Sequence, residues 1–437
     1  MLVLKKIKLF IVFSPIICFK LFGDNGSVSL KIILQPFDKN KSEVLLNGRP
    51  LHFIVTYKDK SLAIAETRIQ AFNWNSFGEQ VKNKISVSYP EFRTKVFEIE
   101  ADKRQLELFA VLDTRNSELE FQSMYKSDGT PKSVRFINDK TLVVTLLSGR
   151  GCNLIDLKTG KTRLLFPPEK YAQQHGFVES LVLEDRNELW ISQMTNDCIH
   201  IFSLKDFAYL DTIKCSGFWG KVMAYLPSKR EVYFTNWISK DISIVDTEKR
   251  IEKKRIALGT VPRGLVFSDD AQFVYFAQFE ASDGTYGGKT VKLRLSDFKE
   301  LSRFGKPGAK RHIVKDSKRK LLYVSDMSRC TVEVFSLIDE RLLAEIHVAA
   351  NPNTIVLAPD GKRLYVSCRG KNHPTKGYLH KGLDFGKIYV IDTKSFKLIE
   401  IIEGGNQATG LDISPDGKTL AFSDFLDNVV RVYSVKN

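Results

Sequence analysis

Apolar residues in the C-terminal three-quarters of this chain fall into short runs, each closed by a turn, and the runs repeat. Residues 408–423 (ATGLDISPDGKTLAFS) lie directly over residues 352–367 (PNTIVLAPDGKRLYVS). Pro262 to Asp270 opens the same way and continues to Phe276, and Arg311 to Val314 leads to Leu321–Ser325. A third run follows each time, as in Ile242–Thr247, Val332–Phe335 and Ile388–Thr393. A fourth then carries the chain outward: Lys253–Ala257, Ala344–Val348 and Leu398–Ile402. Pro-Asp-Gly presets a tight turn, because Pro fixes φ and Gly permits positive φ. Asp-Thr-Lys and Asp-Thr-Glu after the third run mark a second turn. The flanking runs alternate or are continuously apolar, as strands buried between stacked sheets must be. Four short strands per unit is the blade of a propeller.

Openings near Lys132, Glu179, Gly220, Pro262, Arg311, Pro352 and Ala408 give seven units of roughly 44 residues, the length expected of four-stranded blades. The last unit stops after its third strand, Val429–Val435. Leu119–Tyr125, ahead of the first unit, reads as an outer strand with nothing local to pair with. It is expected to complete the seventh blade, which removes an exposed edge. The fold class is therefore all-β, with a seven-bladed propeller over 118–437.

This repeat resembles the YVTN family of β-propellers, named for a Tyr-Val-Thr-Asn run on the second strand. Here the run reads Tyr365-Val366-Ser367-Cys368 and Tyr323-Val324-Ser325-Asp326. The resemblance implies a firm fold and a varied function: surface-layer proteins, lactonase-like proteins and periplasmic nucleic-acid binders.

Residues 27–112 lack the repeat. They carry short alternating runs at Val28–Ile33, Lys84–Tyr89, Lys95–Glu100 and Gln105–Val111, with an Asn47-Gly48 hairpin signal. A region of this size with such strands is expected to be a small Ig-like β-sandwich. Residues 113–117 are polar and read as the linker. An Ig-like module ahead of such a propeller resembles leptospiral surface-exposed antigens, which implies an outer-surface location and supplies no biochemical activity.

Residues 1–23 read as a secretory signal. Lys5, Lys6 and Lys8 precede an apolar run, Leu9 to Phe19, too short to span a bilayer, which needs about 20 apolar residues. Pro15-Ile16-Ile17-Cys18 loosely follows a lipoprotein signal, so a lipid anchor at Cys18 is the alternative form of export. Removing residues 1–23 lowers the net charge from +15 to about +11. A basic surface of this size suits anionic partners. Five cysteines remain, too few and odd in number for a disulfide scaffold. Cys152, Cys198 and Cys330 stand at equivalent places in their repeats and cannot face one another.

No His-Glu-x-x-His, Cys-x-x-Cys or Gly-x-Ser-x-Gly pattern is present. Asp283–Thr290 approaches a phosphate loop but lies between two strands, so it reads as an inter-strand loop. In a propeller, the loops leading into the inner strands share one face with the loops between strands two and three. That face should carry Trp219, Arg263, Arg311, His312, Asn353 and Thr409 from the first set. The second set adds Trp237, Arg329, Arg369, Lys371, His373 and His380. Cations mixed with aromatics suit anionic or sugar-like ligands. His373 and His380 lie in one long insertion without a companion ligand, and no metal or other cofactor is expected.

The expectation is a non-catalytic binding or adhesion protein of the bacterial surface, presenting a basic, aromatic propeller face to an extracellular macromolecule, such as a host matrix component, or to an anionic small ligand. The alternatives are a lactonase- or quinoprotein-type enzyme using the channel, and a periplasmic single-stranded nucleic-acid binder, the least favoured partner class.

Overall fold

The computed structural model describes residues 117–436 apart from 281–283 and 383, and ahead of them the backbone of short strands between Ile7 and Ile99. Residues 119–435 form seven four-stranded antiparallel sheets. Blades one to six span 131–165, 177–214, 220–257, 261–308, 310–347 and 352–403, each with its strands in chain order from inside to outside. The seventh orders Ala408–Ile413, Thr419–Asp424, Val429–Val435 and then Leu119–Lys126. The early strand therefore supplies the missing outer strand, and the Gln122 amide donates to Ser434 Oγ at 2.9 Å across this join. The inner strands of neighbouring blades touch all the way round, including Pro131–Asn138 against Ala408–Ile413.

The turns form as their residues dictate. Gly361 and Gly417 of the two Pro-Asp-Gly turns have φ of 74° and 73°, a region closed to most side chains. Asp246 and Asp392 each accept two backbone N–H bonds from the residues that follow, which closes the outer turn. Blade-to-blade packing is apolar on both faces. Tyr233 and Ile244 of blade three meet Leu265, Phe267, Val274 and Phe276 of blade four in one buried cluster. Full burial of side chains this large contributes roughly 1.5–3 kcal/mol each. At Gly410 an added Cβ would fall 2.7 Å from Val134 N, so the ring closes tightly between blades seven and one.

Buried polar groups tie blade five together. Lys310 Nζ lies 2.8 Å from Asp326 and 2.7 Å from Glu333, with all three side chains fully buried. Asp326 also accepts the backbone N–H groups of Ala309, Ser328 and Arg329. The fourth residue of the repeated second-strand run thus holds the loop that follows it.

In the N-terminal region Ser27–Leu34 pairs along its length with Ala63–Gln70. Asn83–Ser88 lies between Lys95–Ile99 and Glu43–Leu46. Asn47, at φ 49°, turns the chain into Arg49–Pro50, as the Asn-Gly signal predicts. The strand expected at Gln105–Val111 and the linker at 113–116 lie outside the described residues. Within the stretch read as a leader, Ile7–Ile11 pairs with Ile17–Leu21.

Candidate functional site

The blades superpose through one repeated hydrogen bond. A second-strand hydroxyl accepts a first-strand N–H in five blades: Thr145 from Ser133, Thr235 from Val222, Ser325 from His312, Ser367 from Thr354 and Ser423 from Gly410. The residue just before each N–H is then equivalent from blade to blade. These residues are Lys132, Lys221, Arg311, Asn353 and Thr409, and the same spacing adds Val178 and Arg263. Four of the seven positions in this ring are cations.

A second ring stands above the first, where the second strand ends. Leu147, Met194, Trp237, Met327, Arg369 and Phe425 each donate a backbone N–H to the residue two before the ring position of the same blade. Phe279 holds the same place in blade four by spacing. All but Arg369 are apolar. Three cations lie against the second-ring residue of the preceding blade. The Lys132 ammonium is 4.7 Å from the Phe425 ring centroid, the Arg263 guanidinium is 4.1 Å from that of Trp237, and Lys221 meets the Met194 thioether. Lys221 also faces the Trp219 ring at 5.1 Å, and Arg369 faces Tyr378 at 5.6 Å. Cation–π contact offsets part of the cost of stripping water from these charges.

The charges are not balanced locally. Among the described residues no carboxylate forms an ion pair with Lys132, Lys221, Arg263, Arg311 or Arg369. Arg311 instead donates from Nε to Asn353 Oδ1 at 2.5 Å. Arg263 Nε and Arg369 Nε are buried without a partner. Burial, and then the neighbouring Arg311, Arg369 and Lys221, hold Lys132 well below the usual lysine range. Burial and then Arg311 bring Lys221 down to about 7. Arg311 falls to about 9 through burial and then Arg369. Lys132, Lys221, Arg311 and Arg369 repel one another, so an anion entering among them would relieve several repulsions at once. One residue further along its strand than Val178, Glu179 lies 3.6 Å from Arg135, which Asp412 also attracts, and Asp412 accepts the Phe136 N–H at 2.8 Å. Burial, followed by Arg135 and Arg311, lowers His312 to about 3, which leaves it neutral.

The residues expected on this face separate into groups. Trp219, Trp237, Arg263, Arg311, Asn353 and Arg369 converge at the mouth. Arg263 and Arg311 lie within the inner strands, not in the loops before them. His312 follows Arg311 one residue further along its strand. Thr409 is 1% exposed, and its carbonyl accepts the Ser367 hydroxyl at 2.8 Å, so it fastens blade seven to blade six. Arg329 is a correction to the expected convergence: it turns outward and pairs with Glu345 of the outer strand at 2.8 Å. The exposed Lys371 belongs to the insertion, where its N–H bonds Asp384 at 2.7 Å. His373 and His380 have ring centroids 6.5 Å apart. Lys132 and Lys221 join the candidate site without having been expected there, although the hydrogen-bond register across blades makes them equivalent to Arg311. Among the described residues no three His, Cys, Asp or Glu side chains gather as metal ligands. Five cations at the mouth do not fit a divalent-cation site.

Residues 219–437 match the SMP-30/Gluconolactonase/LRE-like region. The chain is 41% identical over 411 residues to Antigen Lp49 of Leptospira interrogans serogroup Icterohaemorrhagiae serovar copenhageni (strain Fiocruz L1-130), covering 94% of this chain and 88% of the antigen. Among solved structures, Kuenenia stuttgartiensis hydrazine synthase is similar in fold. Its TM-score is 0.60 at 16% identity, covering 71% of this chain and 97% of the other.

Proposed function

Because this chain belongs to the family of the leptospiral Antigen Lp49 and carries an SMP-30/Gluconolactonase/LRE-like region, we propose that it is an exported, surface-exposed binding protein whose propeller mouth captures anions. The observation that carries this reading is the ring of Lys132, Lys221, Arg263 and Arg311, capped by Arg369, with no paired carboxylate among the described residues. Desolvated cations that repel one another are costly to hold in place. An anionic ligand, or an anionic group on an extracellular macromolecule such as a matrix component, supplies the missing counter-charge. The leader at residues 1–23, a lipid anchor at Cys18, the Ig-like character of 27–112 and the YVTN reading of the repeat belong to the same proposal. No helix among the described residues is long and apolar enough to cross a membrane.

The test is to change Arg263 and Arg311 together to Ala and confirm an unchanged melting temperature. Binding is then measured to small phosphate esters, sulfated glycans, matrix proteins and single-stranded DNA at two salt concentrations. Loss of binding supports the reading. Unchanged affinity for every ligand of the wild type moves the function to the N-terminal region. Binding of DNA alone, falling steeply with salt, would favour the nucleic-acid alternative.

The family name brings in a second reading, hydrolysis of a lactone in the channel. A pH-stat assay with aldonolactones, comparing wild type with Glu179→Gln, tests it. Turnover that disappears in the variant would establish the enzyme.

A further inference from the structure

Around the mouth, the exposed apolar side chains lie outside the cations. Trp219 and Ile238 of blade three are 43% and 53% exposed, Tyr286 of blade four is 61%, and Tyr378 and Leu379 of blade six are 41% and 55%. Arg263 and Arg369 are only 7% and 9% exposed. The two layers are joined by contacts. Trp219 meets Lys221, Trp237 meets both Arg263 and Phe279, Phe279 meets Tyr286 edge-on at 5.7 Å, and Tyr378 meets Arg369. Tyr286 of blade four and Tyr378 of blade six both act electrostatically on Arg369, and Tyr378 also lies against it.

An approaching molecule therefore meets apolar surface first and positive charge second. A small hydrated anion makes no use of such a rim. A chain charged along its whole length would press its charges against apolar groups. An exposed apolar patch edged by polar groups marks a binding surface, and here the charge beneath it fixes the orientation of what binds. The unpartnered Arg263 Nε and Arg369 Nε are donors suited to a terminal group with several acceptor oxygens.

Resting on the anion-site reading above, we infer that the mouth takes an amphipathic anion: a single terminal carboxylate, phosphate or sulfate head carried on an apolar acyl or aryl body. The head enters the Lys132–Lys221–Arg263–Arg311 ring and the body lies along Trp219, Tyr286 and Tyr378. Such a head occurs on free amphiphiles and on lipids in a bilayer, and both present the same chemistry to the ring.

The experiment is calorimetric titration of the full chain with methyl, butyl and octyl phosphate, the last below its micelle concentration. A parallel arm uses vesicles with and without phosphatidic acid. Affinity should rise about three- to fourfold per added methylene until the rim is covered. The Ile238→Ser, Tyr286→Ser double variant changes exposed rim residues that make no cation–π contact with the four ring cations. It should flatten this dependence while leaving methyl phosphate binding unchanged. A gain with monomeric octyl phosphate assigns the free amphiphile, and binding confined to phosphatidic acid vesicles assigns the bilayer lipid. Methyl phosphate binding with no gain from the longer chains overturns the amphipathic inference and leaves the anion site standing. So does binding of sulfated glycans without binding of octyl phosphate. Failure of every phosphate, vesicle and glycan to bind the wild type overturns both.

Discussion

The Arg263 guanidinium lies over the Trp237 ring, 4.1 Å from its centroid, although the two residues come from different blades. Arg263 is 7% exposed, and its Nε has no partner. A buried cation without a carboxylate partner costs stability, and the proposed anion site accounts for its retention. Arg263→Met keeps the apolar stem and removes the charge. We predict a melting temperature equal to or above that of the wild type, together with loss of anion binding. A thermal melt checks this, and a fall of more than a few degrees would make Arg263 a structural residue.

Lys221 is expected to make anion binding at the proposed site depend on pH near neutrality. Burial and Arg311 bring it to about 7, so its charge is present below that pH and lost above it. Anion affinity should therefore fall as pH rises through about 7. Stability should move the opposite way. Between about 7 and the unfolded-state value, the unfolded chain holds a proton that the folded chain has released, and ΔG of unfolding rises with pH. Titrations across this range with wild type and Lys221→Met check it. The variant should lose the step in affinity near 7, and a step that persists assigns it to another group.

In blade five Lys310 holds Asp326 and Glu333 in a fully buried cluster. Lys310→Met leaves two carboxylates without their cation, which should cost roughly 3–5 kcal/mol. Urea denaturation measures this directly, and a cost below about 1 kcal/mol would mean that water reaches the cluster.

Ring closure depends on Leu119–Lys126 at the edge of Val429–Val435. A chain beginning at residue 127 exposes that edge. It should melt lower and aggregate with rising concentration. Equal melting temperatures and a monomeric state by light scattering would show that the fourth strand is dispensable.

Much of this architecture is legible in the sequence because each blade repeats its own turn chemistry. Gly361 and Gly417 mark their turns, and the inner strands begin at or within two residues of the seven expected openings. Closure is legible because Leu119–Tyr125 has no local partner. The matched region begins at Trp219, where the repeat becomes clear. The site is only partly legible. Arg263, Arg311, Trp237 and Arg369 follow from reasoning about loops, yet two of them sit in inner strands. Lys132 and Lys221 escape that reasoning because a lone lysine after a glycine or proline reads as solvated surface. Only register across blades separates them from ordinary lysines. Arg329 misleads because the position after a turn does not say whether a long side chain swings inward or outward. Here Glu345 draws it outward.

The central claim is that the cationic ring binds anions through desolvated, unpaired side chains. The most direct test is calorimetric titration of a small phosphate ester, phenyl phosphate, into wild type and into the Arg263→Ala, Arg311→Ala variant at pH 6. Removing each charge-assisted hydrogen bond should weaken binding by about 1.5–3 kcal/mol, roughly ten- to 150-fold, with the melting temperature maintained. Equal affinity in the two proteins, with both folded, would contradict the account.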